Sequence, residues 1–220
     1  MKRLLLVMMT LALLAASAVC LAQTDCPITM DEAQIFHFCG LDWQADVDTI
    51  VEAIQDTLGY KAYLIGETVY DGLRFMAPEG IAQFPGLTDE CYLAMVALIP
   101  QPDGSWWLEC QLTPKNVVFD NATHAANWFV DVNAALQDAL GIDWISGLQV
   151  LYPDEYTGER TVGNQSTYGE LMDAWRQAVE VEGVNVDVLI YFNNMILSLE
   201  AMDINGAPHY TSWLQLFASE

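Results

Sequence analysis

Basic side chains are scarce in this chain: seven Lys and Arg stand against thirty Asp and Glu, a formal net charge of −23 at pH 7. Two of the seven, Lys2 and Arg3, open the sequence, and the first acid is Asp25. Beyond Ala22 the balance is therefore five bases against thirty acids, near −25. A field of that sign repels phosphate backbones and anionic lipid surfaces, which excludes nucleic acid as a partner. Histidine is sparse too, with His37, His124 and His209 scattered and unpaired. There is no Gly-x-Ser-x-Gly elbow, no His-Glu-x-x-His, no phosphate-binding glycine loop and no Asp-x-Asp-x-Asp-Gly calcium loop, so the enzyme classes legible from spacing are missing.

Core-forming material is abundant. Hydrophobic residues make up 53% of the 220, with seven Trp and nine Tyr, which excludes a disordered chain. The longest apolar run is N-terminal, from Leu4 to Val19 behind Lys2-Arg3, and it ends in Cys20-Leu21-Ala22. That order of charge, apolar stretch and small residue is a secretory signal peptide with its cut after Ala22. It predicts a secreted or periplasmic protein in two parts, a signal peptide over 1–22 and a single domain over 23–220, with no membrane span once the signal is removed. The alternative is an uncleaved anchor through residues 4–22. Lipidation at Cys20 fits less well, because Ser17 and Val19 stand where a Leu-like and a small residue belong.

Four cysteines remain beyond that cut, Cys26, Cys39, Cys91 and Cys110, an even count that in an exported chain makes all four disulfide candidates. Buried free thiols are the plainer alternative for Cys91 and Cys110. His37, two residues before Cys39, has the spacing of a metal pair, but a bridged cysteine is the simpler reading.

The fold class expected is α+β: an antiparallel sheet built from two long hairpins, about 91–112 and 184–203, with amphipathic helices packed on one face. Around a turn at Asn193-Asn194, Phe192 falls opposite Met195, Ile190 opposite Leu197, Val188 opposite Leu199 and Val186 opposite Ala201, all on one face. In the other hairpin, Pro102-Asp103-Gly104 turns the chain. Pro100 opposite Ser105 would set Ile99 against Trp106, Met95 against Cys110 and Cys91 against Pro114. Cys91 and Cys110 would then lie roughly 13 Å apart by strand rise, which favours links from the N-terminal segment to this hairpin over a Cys91–Cys110 bond.

Helical periodicity marks Val47 to Leu58, the stretch capped by Asn121 and ended by Gly141, and the stretch from Thr167 to Gly183. Two short helices are also expected, one from Thr29 to Gly40 and one starting at Pro208 with Tyr210, Trp213 and Phe217. Tyr60 to Ile65, Leu73 to Met76 and Leu148 to Tyr152 read as strands, and Pro153 to Gln165 as a loop. The segment Asp48 to Leu64 resembles the opening of small α+β regulator and chaperone-like domains that run helix, strand, hairpin, helix. It carries no functional residue. Ala53 to Gly59 matches Ala135 to Gly141 at five of seven positions, an echo that would divide the domain into pseudo-repeated halves, about 42–120 and 121–220. Independent helix endings in Leu-Gly explain it as well.

Two spots carry candidate chemistry. Asp187 falls opposite Glu200, and like charges across a hairpin destabilise it unless something compensates. Ca²⁺ is the cation such a pair would take, and two solvated acids on an exposed face are the plainer reading. Trp107 points away from the dry face and Tyr191 shares the mixed face of its hairpin, so both are candidate binding residues. The function expected is a secreted acidic binding domain, non-catalytic, for a basic protein, peptide or cell-envelope component. The alternative is an extracellular hydrolase using paired carboxylates.

Overall fold

The computed structural model describes residues 26–218 apart from 44, 68–70, 117, 143–147, 154–159, 166 and 183–185, so the segment 1–22, expected to be a signal peptide, lies outside the described residues. Among those described, three helices and a large antiparallel sheet make a mixed α+β fold in which the sheet dominates. The helices are α1 (Val47–Leu58), α2 (Ala122–Leu140) and α3 (Tyr168–Glu182). Each begins for a local reason, and two of the three ends are described, Gly183 after α3 lying outside the described residues. Asp46 accepts the Thr49 N–H at the start of α1, Asn121 accepts the His124 N–H at the start of α2, and the Thr167 hydroxyl accepts the Glu170 N–H at the start of α3. The echoed heptads close alike: Gly59 and Gly141 adopt the left-handed conformation, and their N–H groups return to Gln55 O and Gln137 O.

Twelve strands follow in chain order. They are β1 (Ile28–Met30), β2 (Phe36–Phe38), β3 (Lys61–Leu64), β4 (Leu73–Met76), β5 (Ala82–Gln83), β6 (Tyr92–Pro100), β7 (Trp106–Thr113), β8 (Leu148–Pro153), β9 (Arg160–Asn164), β10 (Val186–Phe192), β11 (Met195–Ile204) and β12 (Ala207–Phe217). Strands β1 and β2 pair alone. The other ten form one sheet in the order β3-β4-β6-β7-β12-β11-β10-β8-β9, with β5 against β6.

The sheet is thus larger than two hairpins. The hairpin β10–β11 takes the register read from its pattern, Phe192 opposite Met195 through Val186 opposite Ala201. In β6–β7 the register differs by one near the turn, with Pro100 opposite Trp106, Ile99 opposite Trp107 and Val96 opposite Cys110. A bulge between Leu93 and Met95 restores the step, leaving Tyr92 opposite Thr113. One inserted residue flips the alternation, so Val96 and Leu98 are buried with Leu93, whereas Met95 and Ile99 stay half-buried on the other face.

Two short expected helices are strands instead. The 208–217 segment is β12, which lies in the middle of the sheet between β7 and β11. Tyr210, Trp213 and Phe217 fit a helical spacing, but Ser212, Leu214 and Leu216 alternate as buried residues with Thr211, Trp213 and Gln215 outward, and that period of two decides it. The turn before it, Asn205-Gly206, has positive φ at both residues, 58° and 82°. That is the strongest short hairpin signal a sequence can carry. Pro208, read as a helix start, sits at the end of β12 beyond the reach of β7, whose pairing begins at Ser212. The 29–40 segment is the β1–β2 hairpin, where the Asp31 carboxylate accepts N–H groups of Ala33 and Ile35 and Gln34 turns at φ 64°. A helix that short is marginal in water, and the Asp31 turn competes with it. Finally, Arg160–Asn164 of the expected loop is strand β9, paired with β8 at the sheet's edge.

Alternation gives the sheet two unlike faces. Across it run rows such as Phe75, Val96, Cys110, Leu214, Leu197 and Ile190, which join Ile50 and Ile54 of α1, Phe129 and Leu136 of α2 and Trp175 of α3 in one core. Trp175 also donates from Nε1 to Val186 O. Burying side chains of that size supplies most of the folding drive, on the order of 1.5–3 kcal/mol each.

Candidate functional site

At one end of the central strands, three turns and a strand terminus surround a cleft of about 790 Å³. Ala33, Gln34 and Ile35 come from the β1–β2 turn. Gln101 to Asp103 and Ser105 come from the β6–β7 turn, continued by Trp106 and Trp107, and Asn193 and Asn194 come from the β10–β11 turn. Phe217 and Ala218 close it from the end of β12. The volume lies in the range of small-molecule and peptide sites, and the lining is of the same kind, aromatic and apolar walls with a few amides.

Each wall has a local cause. Trp106 and Trp107, adjacent on a strand, face opposite ways. Trp106 turns toward the core and donates from Nε1 to Ala45 O at 3.3 Å. Trp107 stays half-buried and lies 6.0 Å from the Phe217 ring at a tilted angle. Its indole N–H is buried and has no hydrogen-bond partner. The β6–β7 turn is set by Asp103, which accepts both the N–H and the hydroxyl of Ser105 at 2.9 and 2.6 Å. Those donors, the hydroxyl first, hold its carboxyl below the usual range, so the one acid of the cleft is ionised at neutral pH.

Asn194 holds the cleft together. Buried at 1% exposure, it accepts the Phe36 N–H at 2.7 Å and donates to Phe36 O and Phe217 O at 2.9 and 2.8 Å. The Phe217 N–H in turn reaches Asn194 O. One side chain therefore ties the N-terminal hairpin and the chain's last strand to the β10–β11 turn. Exposed Asn193 adds a bond from Nδ2 to Gln34 O.

Of the residues singled out by sequence, Trp107 lines this cleft. Tyr191 lies on the same sheet face as Trp107 but opposite Ile196, and its hairpin reaches the cleft through the turn instead. Asp187 and Glu200 stand directly opposite each other, Asp187 buried and Glu200 half-buried, away from the cleft. Among the described residues no group of three or more His, Cys, Asp or Glu side chains is arranged to hold a metal ion. His37 has a structural place, with Nδ1 at 2.9 Å from Leu41 O, Nε2 at 3.2 Å from Asp31 and its ring stacked on Trp43. The four described cysteines, Cys26, Cys39, Cys91 and Cys110, are free thiols in this structure, with no two of their sulfurs at bonding distance.

The cleft was hidden in the sequence because its walls are up to 185 residues apart. Asn193-Asn194 was visible as a turn, yet nothing local says that Asn194 points inward. No helix among the described residues is long and apolar enough to cross a membrane. Compared with protein-family models, with curated proteins and with solved structures, the chain matches none.

Proposed function

We propose that the chain is an exported, acidic binding domain whose ligand, a basic peptide segment or cell-envelope component, seats in the cleft between the β1–β2, β6–β7 and β10–β11 turns. The observation that carries this reading is the cleft itself. It has an aromatic wall of Trp107 and Phe217, an indole N–H without a partner, and flanking amides from Gln34, Gln101 and Asn193. Aromatic anchors in a shaped recess are the usual source of binding energy, and an overall charge near −25 selects cationic ligands and speeds their approach. The paired-carboxylate hydrolase needs an acid with a raised pKa beside an ionised one. The carboxyl that lines the cleft, Asp103, is held below its usual value by the Ser105 donors, so the cleft itself does not offer that raised acid.

The test is a titration of the mature chain with matched basic and acidic peptides, followed by tryptophan fluorescence at low and moderate salt. Binding of the basic set, weakened by salt and reduced at least about tenfold by Trp107→Ala, supports the reading. Equal binding of both sets, or none, sinks it.

We further infer that the sheet is a duplicated unit. Counted outward from the β7–β12 junction, β6 and β11 stand second, β4 and β10 third, β3 and β8 fourth. The echoed helices α1 and α2 lead into β3 and β8, the equivalent fourth strands. The halves then read α1-β3-β4-β6-β7 and α2-β8-β10-β11-β12, with β9 and α3 as an insertion in the second.

A further inference from the structure

We propose that oxidation joins Cys26 to Cys91 and Cys39 to Cys110, two disulfides that fasten the β1–β2 hairpin to the sheet. The proposal uses the reading that the chain is exported, because an oxidising compartment is where such bonds persist.

The geometry comes from how the hairpin lies along the central strands. At one end Phe36 is pinned to Asn194, beside the cleft. Strand β2 runs from there against β12, and its far end reaches α1, where the Cys39 thiol meets Thr57 in the last helical turn. Two residues on from that helix, the Tyr60 hydroxyl donates to Leu93 O of β6. The hairpin therefore ends over the same part of the sheet as Leu93 and its partner Leu112. Moving away from the cleft along β2, Cys39 comes first. Its own N–H bonds Pro27 O, so Cys26, the residue before Pro27, lies one step further out. On the sheet beneath, Cys110 comes first, in the row of Val96 and Leu214. Cys91 comes last, just beyond the Tyr92–Thr113 pair and next to Glu90, whose carbonyl accepts Trp128 Nε1 of α2. Strand β1 packs on that same helix α2. Matching near with near and far with far gives Cys39 with Cys110 and Cys26 with Cys91.

The other connectivities run against this order. A Cys91–Cys110 bond would bridge strands four residues out of step, roughly 13 Å at strand rise. Pairing Cys39 with Cys91 and Cys26 with Cys110 would cross the hairpin over itself. The thiols lie close enough to act on one another, Cys39, Cys26 and Cys91 on Cys110 and Cys26 on Cys39 as well as on Cys91, so the four form one cluster around Cys110 and Cys91. Burial is the larger influence on both thiols. Cys91 and Cys110 are fully buried, so each bond would be shielded once made.

Each bond forms by loss of two protons and two electrons from a thiol pair. The electrons pass to the disulfide of a thiol–disulfide oxidant, which leaves as its dithiol, so two oxidant disulfides are consumed per chain. The experiment takes two preparations: the full chain, leader included, expressed in an exporting host, and the mature chain refolded in a glutathione redox buffer. Trypsin under non-reducing conditions cuts at Lys61, Arg74 and Lys115, leaving Cys26 and Cys39 on one peptide and Cys91 and Cys110 on another. Those two peptides are expected to travel joined, lighter by about 4 Da than the reduced pair, and to separate on reduction. A Glu-specific protease, cutting after Glu32 and Glu109, then resolves which cysteine holds which. The variant with Cys26→Ala and Cys91→Ala should retain one disulfide and no free thiol, whereas Cys26→Ala with Cys39→Ala should expose two free thiols. Free thiols in both preparations, or looped peptides carrying Cys26–Cys39 and Cys91–Cys110, overturn the proposal. Cross-links in the refolded chain beside an exported preparation that still begins at Met1 would leave the disulfides standing and remove the export reading. Free thiols in a chain that begins at Gln23 would do the reverse.

Discussion

Replacing Asn194 by Ala is expected to be among the most damaging changes outside the apolar core. The substitution removes three side-chain hydrogen bonds at once, from the Phe36 N–H and to Phe36 O and Phe217 O. At about 1 kcal/mol net per bond this is already about 3 kcal/mol, and leaving the Phe36 N–H without a partner adds on the order of 1 kcal/mol. Phe36 is fully buried, so water does not readily replace what is lost. A loss of about 3–4 kcal/mol is a large share of the roughly 5–15 kcal/mol that holds a domain folded. In a chain of this size it lowers Tm by roughly 6–15 °C.

Thermal and urea unfolding of three variants test the reasoning together. Asn194→Asp keeps an acceptor for Phe36 N–H, loses both donations and places a carboxylate between two carbonyls, so it should be at least as unstable as Asn194→Ala. Asn193→Gly loses only the exposed bond to Gln34 O and relieves a positive φ of 49°, so it should stay within about 1 kcal/mol of the parent. If Asn194→Ala also falls within about 1 kcal/mol, the clamp does not stabilise the fold and the cleft's floor is held by something else.

Further expectations follow from local geometry and titration. Gly72 has φ 102°, and a Cβ there would stand 2.8 Å from Leu98 O, so Gly72→Ala should cost about 1–3 kcal/mol in urea unfolding. Gly80→Ala, at a similar φ of 100° but with nothing within 4 Å, should cost less. Burial pushes the Cys39 and Cys91 thiols up to about 12, so folding favours their protonated forms. That stabilisation is complete below the unfolded thiol value near about 8.5 and is lost as pH rises toward the folded values, so the reduced protein should show a falling urea midpoint between about pH 8 and 10. The oxidised protein should lack this slope. At the acid side, the N–H of Thr49 holds the Asp46 carboxyl below its usual value, giving stability that is present above the unfolded carboxyl range and lost as pH falls below it. The deficit caused by Asp46→Ala at pH 7 should therefore narrow by about pH 3.

Local signals carried the helices and the pairing of β10 with β11. Asn121 and Thr167 announce helix starts because capping is a contact within three residues, and Phe192 to Val186 announces a strand because its period is two. The failures came where two periods coincide or where one residue shifts a phase. Tyr210, Trp213 and Phe217 satisfy a helical spacing while Leu214 and Leu216 satisfy a strand's, and the Asn205-Gly206 turn was the signal that could have decided between them. The bulge near Ala94 leaves no mark in composition, yet it decides which side chains of β6 enter the core. Trp107 could be singled out as an aromatic on the outward face. Its partners in the cleft, Phe217, Asn194 and Gln34, could not, because they meet only through the sheet order.

That order also explains why the cleft lies at one end of the sheet. If the halves are related by duplication about the β7–β12 junction, the turn between β10 and β11 corresponds to the connection between β4 and β6 at the opposite end. The first is two residues, Asn193 and Asn194. The second runs from Ala77 to Cys91 and packs part of itself back, with β5 against β6 and Phe84 fully buried. A two-residue turn leaves the ends of β7 and β12 uncovered, and Trp107 and Phe217 become the wall of a recess. The N-terminal hairpin then roofs one side of it, held by Asn194 at the near end and, on the proposed pairing, by Cys39 and Cys26 at the far end. Reduction would release only the far end, so it should loosen the hairpin more than the cleft. In hydrogen exchange this predicts faster exchange at Cys39 than at Phe36 after reduction, and equal acceleration of both would mean that the two ends are not held separately.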